Sequence, residues 1–416
     1  MDADVVVVGG GFVGLHTAYR LHKGGFRVVV VGGEAPRKGA SWGNAGLIHQ
    51  GSATTVPEII GFWRVVRLAL RRGSYISSNP WIALRESLPG GWIWRYARSL
   101  NREEIARRSA VLAQLIPESK RLWLEIIRGE GLDAELKEKG SLEAYFSEEL
   151  FSLESRVVSE EASRLGYRVQ IFDGVKCREM EPLLRENVVG GIYYSDDAWV
   201  NPSKTLNSFI SALQRLGVSI TWERVKEVKE DGDGLRVLAE SGEMRVGRAV
   251  IAAGAWTGRL LHNLGVDIPL IAGRGYLALT EPVRERLSMP VFYADEKVIA
   301  GQTTEGNLRL TSYFELNNPD APLDRSKIVQ MAEKMREALK IEGNLRIIDE
   351  WVGSRPCVYD GLPVIGRVGK RGLAVVATGM CRLGLTLSPI GAKLVEDIIT
   401  GQENPILQHF SPTRFS

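Results

Sequence analysis

The pattern of apolar and polar positions at the start of the chain predicts a strand, a helix and a second strand. Residues 5–8 are four consecutive valines, an apolar β-branched run typical of a buried parallel strand. Leu15, Ala18 and Leu21 then recur at helical spacing, and residues 28–31 are a second run of valines. This order predicts a βαβ unit at the head of an α/β fold.

Three glycines follow the first predicted strand at the spacing of a dinucleotide-binding turn. Gly9 lets the chain turn, Gly11 lets backbone N–H groups approach a pyrophosphate, and Gly14 lets helix and strand pack closely. The strand–turn–helix–strand context favours a dinucleotide site over a glycine-rich turn that binds nothing. An acid usually ends the second strand and holds a ribose hydroxyl, but this chain has Gly32 there and its first acid is Glu34. Either Glu34 takes that role or the ribose is held in another way.

Further along the chain the periodicity predicts alternating helices and strands. We expect helices near 102–129, 148–165, 203–216, 324–340 and a last one ending near Gly401, with strands near 141–147, 218–222, 249–252 and 373–377. Residues 276–313 alternate as strands with Pro and Gly turns, which predicts a mostly antiparallel sheet.

Residues 57–100 combine an apolar face with arginines and tryptophans. Residues 59–70 carry the apolar face, and Arg64, Arg67 and Arg71 recur at helical spacing. A basic amphipathic helix of this kind lies on an anionic membrane surface or packs as a helical cap over a substrate site. The segment therefore predicts either peripheral membrane contact or packing, and one segment can do both.

Composition narrows the classes of function. The 53 Lys+Arg against 50 Asp+Glu leave a net charge of +3, which gives no reason to expect nucleic acid. Cys177, Cys357 and Cys381 have no zinc or C-x-x-C spacing, so we expect reduced, buried thiols and no metal site. The chain enters its first strand at once and has no run of eighteen apolar residues, which predicts a cytoplasmic protein.

Several further stretches match a known family in order along the chain. They are Gly9-x-Gly11-x-x-Gly14, the loop 41–46 (Ser-Trp-Gly-Asn-Ala-Gly), 253–256 (Ala-Gly-Ala-Trp), 274–276 (Arg-Gly-Tyr), 353–356 (Gly-Ser-Arg-Pro), 360–366 and 378–384. In these the chain resembles the D-amino-acid oxidase superfamily of FAD-dependent oxidoreductases. It is most similar to D-amino-acid dehydrogenases and dye-linked proline and hydroxyproline dehydrogenases.

The resemblance implies an α/β fold of the glutathione-reductase type. A Rossmann-like FAD-binding domain would comprise residues 1–50, 201–265 and 345–416. An inserted α+β substrate domain with a mostly antiparallel sheet would comprise 51–200 and 266–344. FAD would be bound without a covalent link, although Cys357 and Cys381 raise the alternative of a covalent one.

The resemblance also implies a set of cofactor contacts. They are Gly9, Gly11, Phe12, Val13, Gly14, Glu34, Ser41, Asn44, Ala45, Gly46, Leu47, Val225, Ala253, Gly254, Gly379, Arg382, Leu383, Gly384, Leu385 and Thr386. Family dehydrogenases often have a histidine where this chain has Met380, and Arg382 adds a charge near the flavin. Both departures bear on the substrate range and the electron acceptor.

The chemistry that we expect is amine oxidation of a small amino or imino acid, such as a D-amino acid or a proline-like acid. A hydride would leave Cα for flavin N5, and the electrons would pass to a quinone or an artificial dye. Arg355 is the predicted carboxylate ligand because a guanidinium binds a carboxylate bidentately, and Tyr276 is a predicted hydroxyl donor. His49 follows the glycine-rich loop and is a weaker candidate for assisting.

Three alternatives stay open at this point. The first is an oxygen-using oxidase of the amino-acid or sarcosine type. The second is an FAD-dependent RNA-modifying protein, which the near-neutral charge disfavours. The third is a subunit that binds flavin structurally within a larger assembly, and an oligomer is compatible with any of them.

Overall fold

The computed structural model describes residues 2–51 and 74–415, which form two large β-sheets, a small one and the helices packed on them. The strands are β1 (Ala3–Val8), β2 (Val28–Val31), β3 (Leu47–Ile48), β4 (Ile76–Ser78), β5 (Ser141–Tyr145), β6 (Gln170–Asp173), β7 (Gly190–Tyr194), β8 (Ala198–Trp199), β9 (Ser219–Thr221), β10 (Val225–Asp231), β11 (Gly234–Ala239), β12 (Glu243–Ile251), β13 (Leu270–Pro282), β14 (Val291–Tyr293), β15 (Val298–Gln302), β16 (Asn307–Leu316), β17 (Ile347–Val358), β18 (Val364–Val368) and β19 (Ala374–Thr378). The α-helices are α1 (Phe12–Lys23), α2 (Pro80–Ser87), α3 (Trp92–Ser99), α4 (Arg102–Gly129), α5 (Glu148–Leu165), α6 (Gly174–Met180), α7 (Pro202–Arg215), α8 (Thr257–Leu261), α9 (Arg325–Ala338) and α10 (Ser388–Thr400).

The first sheet contains the predicted βαβ unit. Its parallel centre runs β9-β2-β1-β12-β19, with β18 antiparallel at one edge and the β10–β11 hairpin extending β12. Successive valines of β1 point to opposite faces, so Val5 and Val7 pack in one core and Val6 and Val8 in another. A strand that is buried on both faces needs an unbroken apolar run, which explains the four valines.

The second sheet has nine strands in the order β17-β13-β16-β15-β14-β5-β7-β6, with β4 beside β16. Most neighbours are antiparallel, as predicted, but β14–β5 and β16–β4 are parallel, so the sheet is mixed. Strand β17 pairs with β13 in this sheet, although the predicted partition assigns residues 345–416 to the cofactor segment. The division into domains stays a prediction.

Helix α4 packs against the turn that contains Leu385 and Thr386. It spans the predicted residues, and its Trp123 is fully buried. The Trp123 indole Nε1 donates to the carbonyl of Leu385 at 2.7 Å, and the Ser119 hydroxyl donates to that of Thr386 at 2.6 Å. These bonds fix the backbone of a turn that the sequence predicts to contact the cofactor.

The basic segment 57–100 is described only in part. Its predicted apolar face at residues 59–70 lies outside the described residues. In the remainder, Trp92 packs into a small core and its Nε1 donates to the carbonyl of Cys357 at 3.1 Å, whereas Trp81 on α2 is 79% exposed. Among the residues that the structure describes, no helix has both the length and the apolar character needed to cross a bilayer.

The prediction of reduced thiols is wrong for two of the three cysteines. Cys357 and Cys381 are bonded to each other, and their Cα atoms lie 4.5 Å apart. A backbone bridge between Cys357 and Met380 brings the end of β17 against the turn after β19. Because the two sulfurs are bonded to each other, neither is available for a covalent bond to a flavin. Neither their spacing of 24 residues nor the local pattern reveals this contact, because it forms only when the two sheets pack.

The disulfide predicts the thiol count of the purified protein. Alkylation of the denatured, unreduced chain should modify one cysteine, the buried Cys177, and alkylation after reduction should modify three. Mass spectrometry of the two samples measures this difference. Three modified cysteines without reduction, in protein prepared with a thiol-blocking reagent present throughout, would show that the bond is not formed.

Candidate functional site

A cavity of about 1400 Å³ lies between the carboxyl ends of the first sheet's parallel strands and one face of the second sheet. Strands β1, β2, β12 and β19 all end at its wall. Strands β16, β15, β14, β5 and β7 contribute side chains from the other side. Ligands of open parallel sheets bind at the carboxyl ends of the strands, so this is the expected place for a cofactor.

Most of the predicted cofactor residues line this cavity. They are Gly9, Gly11, Phe12, Val13, Glu34, Ser41, Asn44, Ala45, Leu47, Val225, Ala253, Gly254, Arg382, Leu383, Gly384, Leu385 and Thr386. Gly14, Gly46 and Gly379 stand behind the wall. A Cβ on Gly14 would lie 1.8 Å from the Gly9 carbonyl oxygen, so that glycine serves helix–strand packing.

The glycine turn opens the N-terminus of α1 toward the cavity. Gly9 has φ +128°, a conformation that a side chain opposes, and a Cβ there would lie 2.2 Å from the Ala252 carbonyl oxygen. Gly11 caps α1 without a side-chain hydrogen bond, and the Phe12 N–H donates to Ser41 Oγ at 2.9 Å. The positive end of the helix dipole therefore faces the space where a pyrophosphate would bind.

A tryptophan explains why the second strand ends in glycine instead of an acid. The Trp222 ring covers this position, and a Cβ on Gly32 or Gly10 would lie 2.5 or 2.7 Å from its atoms. An acidic side chain has no room at Gly32. The nearest acid is Glu34, which lines the cavity and pairs with Arg224.

The glycine-rich loop 41–46 is held by the second sheet through Arg309. The Arg309 side chain, on β16, donates from Nε to the Asn44 carbonyl at 3.0 Å and from NH2 to the Trp42 carbonyl. Arg309 is 3% exposed, and burial lowers its pKa to about 9. No carboxylate bonds to Arg309 among the described residues. Its hydrogen bonds to them go to the backbone of the loop instead.

Two indoles complete the support of this loop. Trp199 Nε1 donates to the Ala45 carbonyl at 2.9 Å. Trp351 Nε1 donates to the Arg37 carbonyl at 2.7 Å, and a Cβ on Gly43 would lie 1.9 Å from the Trp351 ring. The loop is small and glycine-rich because it fits between large side chains and the cavity.

The turn after β19 leads into the long predicted helix that ends near Gly401. Residues Cys381–Leu383 form a short 3-10 helix, and α10 begins only at Ser388. Arg382, Leu383 and Thr386 still line the cavity from this turn. The long predicted helix therefore begins directly after this turn.

Arg355 lines the cavity with its guanidinium. Its NH1 donates to the Tyr313 carbonyl at 2.9 Å, and no carboxylate among the described residues pairs with it. A Cβ on Gly275 would lie 2.1 Å from Arg355 NH2, so glycine at that position makes room for the side chain. Burial alone lowers the pKa of Arg355 to about 10. A half-buried cation without a counter-ion favours an anionic ligand.

Tyr276 does not contribute to the described wall of the cavity. Its hydroxyl donates to Glu315 at 2.7 Å on the buried side of β13. The cavity has Tyr313 instead, which lies in a β-bulge of β16 opposite Gly275 with φ +71°. Bulges re-aim backbone and side chains beside functional sites, and this one turns the Tyr313 carbonyl toward Arg355.

A carboxylate–imidazole pair adjoins the cavity, with His49 in its wall. His49 Nδ1 lies 2.5 Å from Asp197 Oδ2, and that oxygen also accepts from Ser141 Oγ at 2.6 Å. Asp197 Oδ1 accepts from the Gln50 N–H at 2.8 Å. The Asp197 side chain is fully buried, whereas that of His49 is 23% exposed and lines the cavity.

A second group of buried charges adjoins this pair. Glu143 on β5 lines the cavity, accepts from the Tyr194 hydroxyl at 3.3 Å and lies 3.8 Å from Lys297. Lys297 also pairs with Glu154 at 3.1 Å. Burial raises the pKa of Glu143 to about 7, with Glu154 adding to the rise and Lys297 opposing it.

Sequence reasoning missed four of these residues: Arg309, Asp197, Glu143 and Lys297. Glu143 and Arg309 carry a readable signal, since each is a charged residue inside a strand whose positions are all or mostly buried. Asp197 and Lys297 lie in turns, where charged residues are ordinary. Only the fold brings Lys297 to the cavity wall and Asp197 against His49.

The cavity wall also contains an unsatisfied hydroxyl. Thr311 Oγ1 is buried and has no hydrogen-bond partner among the described residues, although Thr311 lines the cavity. Buried polar groups are normally paired, so this hydroxyl indicates a ligand. The helix N-terminus, the glycine wall and this hydroxyl together fit a dinucleotide cofactor.

The chain matches known proteins over nearly its whole length. A family model described as FAD dependent oxidoreductase matches residues 4–398. A D-amino acid dehydrogenase of Helicobacter pylori is 25% identical over 403 residues, covering 96% of this chain and 95% of the relative. A D-proline dehydrogenase of Pyrobaculum islandicum is 27% identical over 423 residues, covering 99% of each chain. Glycine oxidase from Geobacillus kaustophilus has a similar fold, with TM-score 0.77 and 21% identity over 99% of this chain and 98% of that one.

Replacing Arg309 should weaken FAD binding. Arg309→Met leaves two loop carbonyls without their donors, and each unsatisfied buried carbonyl costs about 1–3 kcal/mol. We expect FAD to dissociate at least roughly tenfold more readily, because a loop that must be ordered for binding is no longer fixed. Titration of the FAD-depleted variant with FAD, followed by flavin fluorescence, measures this.

Arg108→Met is the matched control for this variant. Arg108 is also buried, and its hydrogen bonds among the described residues go to backbone carbonyls, including that of Asp360 at 2.7 Å, away from the cavity. It should lower the melting temperature without changing the dissociation constant for FAD. Equal FAD affinities in the two variants would contradict the role of Arg309.

Proposed function

Because this chain belongs to the FAD dependent oxidoreductase family, whose model spans residues 4–398, we propose that it oxidises a small amino or imino acid at the cavity described above. Bound FAD supplies the two-electron oxidation that converts an amine to an imine. Gly9, Gly11 and the N-terminus of α1 would hold its pyrophosphate, and the loop 41–46 and the turn 382–386 would lie along its other end. The protein's own side chains then bind and orient the substrate.

The unpaired guanidinium of Arg355 is the observation that carries this proposal. An α-amino acid presents a carboxylate, and Arg355 is a half-buried cation on the cavity wall without a counter-ion among the described residues. A guanidinium binds a carboxylate through two parallel hydrogen bonds, which fixes orientation as well as position. The relatives named D-amino acid dehydrogenase, D-proline dehydrogenase and glycine oxidase support a substrate of this class.

The charges of the cavity wall also suit a zwitterion. Arg355 on β17 provides positive charge, whereas His49–Asp197 and Glu143 add polar and acidic groups near β5 and β7. A substrate with its carboxylate on Arg355 would direct its ammonium group away from that cation. We assign the electrons to a quinone or dye because two of the relatives are named dehydrogenases, and oxygen is the alternative acceptor.

The substrate class and the role of Arg355 are tested in one experiment. The yellow protein is mixed anaerobically with D- and L-alanine, D- and L-proline, hydroxyproline, glycine or sarcosine, and loss of the flavin absorbance is followed. We expect bleaching by one enantiomer of a small acid. Arg355→Met should lower kcat/KM roughly 100-fold, since hydrogen bonds to a charged group are worth about 1.5–3 kcal/mol each.

Two controls make this result specific. Arg259→Met changes another arginine of the cavity wall, one that pairs with Asp320 at 3.2 Å, and should leave the rate unchanged. The substrate's analogue without a carboxylate should react equally slowly with the wild type and Arg355→Met. Bleaching by none of the acids would overturn the proposed function, and the re-oxidation rate in air separates a dehydrogenase from an oxidase.

We also propose that the protein acts in the cytoplasm and binds the inner face of the membrane through helix α2. Trp81, Leu84 and Leu88 lie at i, i+3 and i+7 and are 79%, 59% and 56% exposed. Arg85, Arg95 and Arg98 lie nearby in the chain. An exposed apolar row with arginines close to it in the chain suits an anionic lipid surface, where a quinone would be available.

Vesicles that contain phosphatidylserine should bind the protein, and added salt should weaken the binding. Replacing Trp81, Leu84 and Leu88 with serine should lower the affinity at least roughly tenfold, because each buried apolar side chain contributes about 1.5–3 kcal/mol when fully inserted. The matched control replaces three other exposed residues, Val175, Val329 and Ile348, with serine. Co-sedimentation with the vesicles measures the binding of both variants. Equal binding by the two variants would contradict membrane binding through α2.

A further inference from the structure

Oxidation of an amino acid that binds with an ammonium group requires a proton acceptor, and Arg355, the predicted carboxylate ligand, cannot serve as one. At neutral pH the substrate nitrogen is an ammonium group with no electron pair to support loss of hydride from Cα. One N–H proton must leave before or during the oxidation. The group that takes it must reach the cavity and present an electron pair that no protein hydrogen bond occupies.

His49 meets these requirements by its hydrogen bonds. A carboxylate accepts but does not donate, so the Asp197 carboxylate fixes the proton of neutral His49 on Nδ1. The other nitrogen, Nε2, then carries the electron pair. It makes no hydrogen bond with any described residue, and the His49 side chain lines the cavity.

Asp197 is itself held in one orientation. Ser141 Oγ and the Gln50 N–H donate to its two oxygens at 2.6 and 2.8 Å, and the side chain is fully buried. The Tyr194 ring packs edge-on against His49 with centroids 4.7 Å apart. The imidazole therefore has little freedom to turn Nδ1 into the cavity.

His49 also lies next to two predicted cofactor contacts. The backbone N–H of His49 donates to Thr386 Oγ1 at 3.3 Å, and the same hydroxyl donates to the Leu47 carbonyl at 3.4 Å. Thr386 and Leu47 are both predicted cofactor contacts that line the cavity. The backbone of His49 is thus tied to a segment that would border the cofactor, and its imidazole lines the same cavity.

We propose that His49 is the proton acceptor of this enzyme and that Asp197 positions it and stabilises the imidazolium. Resting on the proposed function, the step breaks one N–H bond of the substrate ammonium group and forms a bond between that proton and Nε2. The electron pair stays on the substrate nitrogen, and no electrons are gained or lost. The amine formed is the species from which hydride can leave Cα.

Other ionisable groups surround the pair and set its pH dependence. Asp197 and Tyr194 touch His49, and Glu143 lies on the far side of Tyr194. Behind them are Glu154, Lys297 and Tyr167. Because Glu143 titrates near neutral pH in this setting, Glu143→Gln is needed to separate its effect from that of His49.

The test is the anaerobic rate of flavin reduction by the substrate as a function of pH. His49→Asn should lower this rate about 100-fold at neutral pH, as loss of general acid–base catalysis does. The rate should recover as the pH rises through the ammonium pKa of the substrate, since solution then supplies the neutral amine. Asp197→Asn should act in the same direction, and Glu143→Gln should keep the dependence on His49.

A second readout does not depend on turnover. Nitrogen NMR of the holoenzyme with labelled histidine should show His49 with its proton on Nδ1, and Asp197→Asn should shift it toward the Nε2 tautomer. A purely structural role predicts variants with altered stability or FAD content but an unchanged pH profile, and that result would overturn the proposal. So would a proton on Nε2 in the wild type. If the wild type is not reduced by any amino acid, the proposed function itself has failed.

Discussion

The buried guanidinium of Arg309 is the contact on which the cavity depends. It projects from the second sheet and binds two carbonyls of the loop that follows the first sheet's second strand. Burial depresses the pKa of this side chain, so the protein accepts a costly cation in order to hold a backbone segment. This contact fixes the position of one sheet relative to the other at the cavity. The first sheet contributes the dinucleotide-binding turn, and the second contributes a row of side chains.

Close packing explains the small residues around the space for the cofactor. Trp222 excludes a side chain at Gly32, Trp351 excludes one at Gly43, and Gly275 leaves room for the guanidinium of Arg355. In each case a large group occupies the volume that a Cβ would need. The absent ribose-binding acid is therefore a consequence of packing, and Glu34 with Arg224 stands at the neighbouring position.

The sequence predicted those parts of the fold that short, continuous stretches of the chain determine. The βαβ unit and the long helix α4 follow from periodicity, and the glycine turn follows from spacing. Tyr276 was assigned to the site without knowledge of the strand face; since Gly275 faces Arg355, its neighbour points the other way. The bulge that places Tyr313 at the cavity and the Cys357–Cys381 bond both depend on pairing between distant segments, which no local pattern encodes.

The charged side chains at the cavity indicate the chemistry of its ligand more directly than any single sequence motif does. Arg355 has no counter-ion among the described residues, while the His49–Asp197 pair offers a basic nitrogen that its surroundings do not use. A half-buried cation is unfavourable without an anionic partner. On the proposed function, a zwitterionic amino acid would satisfy both groups, with its carboxylate on the arginine and its ammonium proton available to the imidazole. Binding and orientation of such a substrate would then offset the cost of the unpaired cation in the free cavity.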